Sequence, residues 1–182
     1  IGATIRDGGV NFCVYSRSAE RVEVVLFDDP DDAAPARGVP LEPPDHRTFH
    51  YWHGFVPGIG AGQVYGYRAD GPFDPELGLR FDGDKLLLDP YGRAVAVPER
   101  VDRLAGARPG DTAATAMRSV VADVATYDWE GDLPLRRSFE ETVIYEMHVG
   151  GFTRHPSSGL EPGVRGTYRG VVEKIPYLVE LG

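Results

Sequence analysis

Residues 142–153 read TVIYEMHVGGFT. Val143, Ile144, Tyr145 and Met147 form a short, near-continuous apolar run that no glycine or proline interrupts before Gly150. Such a run predicts a strand buried on both faces, the habit of parallel sheets, whose two sides are covered by helices. The residues after it fit the rest of a βα unit. A loop of Gly, Pro and Ser extends from Gly150 to Gly166, and then Tyr168, Val171, Val172, Ile175 and Leu178 recur at helical spacing on one face. Pro176 is expected to kink or restart that helix, and Gly182 stands where a C-terminal cap belongs. A parallel strand with its crossover helix needs a second parallel strand, and the sequence holds none after it.

Upstream of Thr142 the pattern changes to short alternating strands. In VNFCVY, Val10, Phe12 and Val14 share a face; in RVEVVLFD, so do Val22, Val24 and Leu26. A third strand spans Thr48 to Val56, with Phe49, Tyr51, His53 and Phe55 opposite Trp52 and Val56, and a fourth spans Val64 to Ala69. Gly/Pro turns at close spacing between such strands predict an antiparallel sandwich. Shorter pieces occur at Leu86–Leu88, Arg93–Val97 and Ser119–Val124. DDPDDAAPARG after the second strand reads as a solvated connection, and the small, polar segment from Pro98 to Arg118 as a mobile one.

The chain of 182 residues carries 42% hydrophobic residues and a net charge of −9 with no basic stripe. Core-forming content is therefore ordinary, while nucleic acid and anionic membranes are poor partners. A neutral polysaccharide is indifferent to that charge. Cys13 is the sole cysteine, which removes any disulfide framework within one chain and favours a reducing, cytoplasmic setting. No signal peptide or membrane-spanning run occurs. The chain opens at Ile1 and ends inside an unfinished unit, the pattern expected of an excised fragment.

Two stretches identify a family. TVIYEMHVGGFTRHPSSGL with GVRGTYRGVVEKIPYLVELG resembles the first barrel strand and helix of isoamylase-type glycogen debranching enzymes, glycoside hydrolases of family 13 in the α-amylase superfamily. YGYRADGPFDPELGLRFDGDKLLLDPYGRAV resembles the end of the β-sandwich preceding the barrel in the same enzymes, and TYDWEGDLPLRRSFEETVIYE the join. The resemblance implies a mainly β fold: an immunoglobulin-like antiparallel β-sandwich over residues 1–125, a linker over 126–141, and over 142–182 the first βα unit of a truncated (β/α)8 barrel. It further implies a parent enzyme that hydrolyses α-1,6-glucosidic branch points of glycogen or other α-glucans with retention, its own catalytic barrel being the sandwich's partner. Branching enzymes and trehalose-releasing hydrolases share the architecture and are the nearest rivals. From a different class come a non-catalytic glucan-binding module and a purely structural interaction domain.

Retaining hydrolysis needs two carboxyl groups about 5–5.5 Å apart. In the resembled enzymes these lie on later barrel strands, so no catalytic residue is expected in this chain, nor any cofactor. Glu146 and His148 share a strand face and are expected to be buried, hydrogen-bonded wall residues. His50 and His53 of the His46, His50, His53 group fall on opposite strand faces, which speaks against a metal site. The glycines at 58, 60 and 62 precede a strand and read as a turn, not a phosphate cradle.

Sugar rings pack an apolar face on aromatic side chains. Trp52, Tyr67 and Phe73 are the candidate carbohydrate contacts, from a set that also includes Tyr51 and Tyr65. The resemblance implies that glycogen-binding relatives use Trp, Lys and Trp at positions that fall here near Pro30, Gly66 and Phe73, of which only Phe73 keeps an aromatic. The resemblance thus implies a scaffold role more than tight glucan binding. Finally, the apolar stripe on the helix from Tyr168 is expected to fold back on the sandwich, form a dimer, or leave the unit disordered, because large apolar side chains gain roughly 1.5–3 kcal/mol each on burial.

Overall fold

The computed structural model describes residues 1–182. The chain divides into two compact units, Ile1–Asp128 and Trp129–Gly182.

The first unit is built from antiparallel strands. They are β1 (Thr4–Arg6), β2 (Gly9–Tyr15), β3 (Arg21–Phe27), β4 (Arg37–Leu41), β5 (Arg47–Thr48), β6 (Tyr51–Pro57), β7 (Val64–Asp70), β8 (Phe73–Asp74), β9 (Leu79–Arg80), β10 (Ala94–Ala96) and β11 (Arg118–Val120). One sheet has the order β1-β2-β6-β5, the other β10-β11-β7-β3-β4, and β8-β9 is a separate hairpin. Alternation decides which side chains meet between the sheets. Val10, Phe12, Val14, Trp52 and Val56 of the first sheet pack with Val22, Val24, Leu26, Leu41, Tyr65 and Tyr67 of the second. Phe12 meets Tyr65 edge to face with centroids 4.9 Å apart.

β4 was not expected. It carries Pro40, which a strand interior rejects, but β4 lies at the sheet's edge, where a missing donor costs nothing. The connection before it is correspondingly shorter than the acidic run implied.

β3 is buried on both sides. Beyond the sandwich core, Val25 and Phe27 pack with Val64, Leu86 and Ala113 in a second cluster. Here the end of the segment from Pro98 to Arg118 packs against the sheet, whereas residues 99–111 are mostly exposed. Thr112, Ala113 and Arg118 are buried, and the Thr112 hydroxyl accepts the Leu86 N–H at 2.8 Å. Small side chains let this stretch lie close against the sheet, so its low hydrophobicity does not keep it in solvent. Leu87 exchanges both backbone hydrogen bonds with Tyr67, at 2.8 and 2.9 Å, as an isolated bridge beside β7.

The second unit is helical. It contains α1 (Val149–Phe152), α2 (Tyr168–Glu173) and α3 (Ile175–Leu181). The helix does restart around Pro176, which sits in the first turn of α3, and Gly182 caps its end with φ 110°. Thr167 caps α2 by accepting the Gly170 N–H at 3.2 Å. Gly170 is buried in α2, where a Cβ would come 2.7 Å from the Thr153 hydroxyl, so the close packing of this turn requires glycine.

The expected strand at Thr142 is absent. Residues 142–148 are irregular, Val143 is 90% exposed, and no backbone N–H from Val143 to His148 is hydrogen-bonded. A strand that needs neighbours on both edges has none here. Tyr168, Val172, Ile175 and Val179 are likewise exposed on ordered helices.

Candidate functional site

Of the three expected sugar contacts, two are interior. Trp52 is fully buried, its indole N–H donating to the Ser16 carbonyl at 3.1 Å and its ring covered by the Arg47 guanidinium at 4.6 Å. Tyr67 is also core, standing perpendicular to Tyr65 at 6.0 Å. Neither ring has a face free for a ligand, and both readings are corrected on that ground. Alternation identified Trp52 and Tyr51 as opposite-facing; burial selects Trp52 as the inner one. Phe73 is 69% exposed on the β8-β9 hairpin and retains a usable face.

The surroundings of Gly66 are closed. A Cβ there would meet Leu86 Cδ1 at 2.7 Å and the Leu87 carbonyl at 3.0 Å, so no side chain fits. The Pro30 carbonyl is taken by Arg118 Nη1 at 2.5 Å. Pro30, Gly66 and Phe73 therefore do not assemble an open aromatic and cationic cradle. The second sheet instead carries its own cover.

Beneath that cover lies a buried polar pair. The Tyr65 hydroxyl donates to Asp89 Oδ2 at 2.7 Å, while Asp89 Oδ1 accepts the Tyr91 N–H at 2.8 Å. The Ser119 hydroxyl accepts the Asp89 N–H at 2.9 Å. Burial first, and Asp89 second, push the Tyr65 hydroxyl well above the ordinary tyrosine range; burial and the Asp89 charge do the same to Tyr67. The network ties β7, the Asp89 turn and β11 together, which is the work of a structural link.

The histidines serve locally. His46 Nδ1 accepts the Glu42 N–H at 3.1 Å, and His53 Nε2 lies 2.9 Å from the Thr48 hydroxyl. Gly58 and Gly62 adopt φ 79° and 89° in the β6-β7 turn, as the glycine spacing indicated. Glu146 and His148 are exposed, not buried wall residues, because the strand that would carry them is unpaired. His148 caps α1, Nδ1 accepting the Gly151 N–H at 2.9 Å.

Sequence reasoning passed over Tyr15, which is exposed at the end of β2 directly across from Tyr51. Its signal was the alternation of VNFCVY carried one residue further.

Two antiparallel sheets packed over one shared core make the first unit a β-sandwich module. Residues 1–92 match Carbohydrate-binding module 48 (Isoamylase N-terminal domain), and the chain belongs to that family. The chain is 42% identical over 184 residues to the chloroplastic isoamylase 1 of Oryza sativa subsp. japonica, covering 100% of this chain and 22% of the relative. It is 40% identical over 196 residues to the glycogen debranching enzyme of Yersinia enterocolitica, covering 100% of this chain and 27% of the relative. Among solved structures it is similar to the product complex of SpuA, a multi-modular glycogen-degrading pneumococcal virulence factor, with TM-score 0.67 and 25% identity over 100% of this chain and 18% of that one. The chain thus spans only about a quarter of the length of the curated relatives it matches.

Proposed function

We propose that this chain is the N-terminal part of an enzyme that hydrolyses α-1,6 branch linkages in glycogen or a related α-glucan with retention. The observation that carries this reading is identity of about 40% to isoamylase and glycogen debranching enzymes across the whole chain, residues 142–182 included. On this reading residues 1–125 are the sandwich, 126–141 a linker, and 142–182 the opening of a (β/α)8 barrel. The exposed Val143 and Ile144 become a barrel strand when flanked by the remaining strands, and the exposed stripe of α2 and α3 then meets the barrel wall. Catalytic carboxylates at the spacing of about 5–5.5 Å that retention requires belong to those later strands. Within the sandwich, Phe73 is the one of the three expected sugar contacts available to glucan. A reducing, cytoplasmic setting is supported by the unpaired Cys13; no helix is long and apolar enough to cross a membrane.

The test is product analysis of the full-length protein that carries this segment, acting on amylopectin. Debranching raises reducing ends and removes the α-1,6 anomeric proton signal, releasing linear chains. Constant reducing ends with a growing α-1,6 signal, or release of trehalose, would overturn the reading.

A further inference from the structure

The outer face of the first sheet carries a row of rings that packing does not account for. Pairing sets Asn11 opposite Phe55, Cys13 opposite His53 and Tyr15 opposite Tyr51. Because Val10, Phe12, Val14, Trp52 and Val56 point into the core, these three pairs point away from it. Tyr15, Tyr51 and Phe55 are all exposed. The Tyr15 and Tyr51 rings meet edge to face at 5.4 Å, and Tyr15 lies 5.9 Å from His50. His50 in turn lies against Phe49 at 3.8 Å. At the other end, the Phe55 ring lies over Gly9: a Cβ there would sit 2.7 Å from Phe55 Cζ. That ring is laid along the sheet instead of standing off it, which turns a face outward.

Phe49 extends the row beyond the strand. It adopts φ 57°, a left-handed conformation that a bulky residue avoids, and is 77% exposed. Arg47 Nε holds its carbonyl at 3.1 Å, and the Ser16 N–H holds the His50 carbonyl at 2.9 Å. The two-residue turn between Thr48 and Tyr51 calls for that conformation, and it holds the Phe49 ring outward at the end of the row.

Chemistry chooses the occupant. The three pairs and Thr48 carry no formal charge, in a chain where 26% of residues are charged. They offer hydroxyl, amide and imidazole groups between the rings, with the Thr48 hydroxyl on His53 at 2.9 Å. Apart from Arg6, paired with Gly9 at one end, the row offers a charged partner little to pair with; an uncharged polyhydroxyl chain finds stacking faces and edge hydrogen bonds together. Tyr51 and Phe55 are four residues apart on one strand, about 13 Å, so the row suits an oligosaccharide and not a single sugar. The outer side of the second sheet is closed by Leu86 and Ala113, which leaves this face open.

We infer that the Phe49–Tyr15–Tyr51–Phe55 row is a stacking platform for a neutral α-glucan chain, separate from the Phe73 hairpin. The choice of α-glucan rests on the debranching reading.

Cys13 lies in the middle of the row and provides a native probe. Maltoheptaose at saturation should slow alkylation of Cys13 by N-ethylmaleimide at least about fivefold in the unmodified 182-residue chain. Calorimetry should show saturable maltoheptaose binding, weakened about tenfold or more by Tyr51→Ala and by Phe55→Ala. Tyr51→Phe should bind like the parent, as should Leu104→Ala, an exposed apolar position elsewhere. Near-UV circular dichroism establishes that each variant is folded. Unslowed alkylation, absence of saturable binding, or loss of binding in Phe73→Ala with full retention in Tyr51→Ala and Phe55→Ala would each overturn the platform. Product analysis of the full-length protein is a separate measurement, so the platform and the debranching reading can fail independently.

Discussion

The Arg118 guanidinium carbon lies over the Phe27 ring, 3.8 Å from its centroid. It also donates to the carbonyls of Asp29, Pro30, Asp32 and Ala113. One fully buried side chain therefore joins the β3-β4 connection, the second apolar cluster and the start of β11. Burial lowers its pKa, opposed by Asp32, Asp31 and Asp29, and so many carbonyl acceptors make the site suit a planar fork of donors.

Arg118→Met keeps the bulk and removes the donors. It should destabilise the first unit by about 2–4 kcal/mol, since several charge-assisted hydrogen bonds and a ring contact disappear together. Arg118→Lys should fall between, keeping the charge without the fork. Urea unfolding followed by near-UV circular dichroism reads the shift in midpoint; an unchanged midpoint in Arg118→Met would contradict the tie.

Tyr65 and Tyr67 predict alkaline sensitivity. Their folded pKa values are raised, so both states are protonated below about pH 10 and the contribution is complete there. Above that pH the unfolded chain releases protons that the folded one keeps, and stability falls by about 1.4 kcal/mol per pH unit for each tyrosine. Urea midpoints across this range should decline, and less steeply in Tyr67→Phe. A flat profile would remove the argument.

Gly66→Lys would install the residue type expected of glycogen-binding relatives. Because Leu86 and the Leu87 carbonyl occupy the space, overpacking should cost about 1–3 kcal/mol. Calorimetry with maltoheptaose should show no gain in affinity. Tighter binding would mean that the cover opens readily.

Amide exchange tests residues 143–148. With no backbone hydrogen bond at these N–H groups, they should exchange almost as freely as an unstructured peptide in this chain, unlike Val24 or Tyr67. In the full-length protein, pairing within a barrel should slow them by at least about a hundredfold. Equal exchange in both would count against the barrel reading.

Much of the sandwich was legible, and the reasons for the remainder are physical. β2, β3, β6 and β7 announce themselves by alternation. β4 is hidden by Pro40, which only its edge position makes acceptable. Thr112 and Ala113 are small enough to read as loop, and their burial depends on β3, far away in sequence. At the candidate site, alternation established that Trp52 and Tyr51 face opposite ways, but which way is inward depends on the partner sheet. Val143 and Ile144 have the composition of a buried strand; composition alone supplies no neighbours to pair with.

The tie at Arg118 also separates two ideas of where a module stops. The family match ends at residue 92, yet β11 at 118–120 is laced to Val64 and Tyr65, and Ala113 shields Val25 and Phe27. The stretch matched to the family is shorter than the foldable unit. Transplanting residues 1–92 onto another enzyme would carry a raw β7 edge and a stripped sheet face, an invitation to aggregate. A working graft needs its scissors near Asp128.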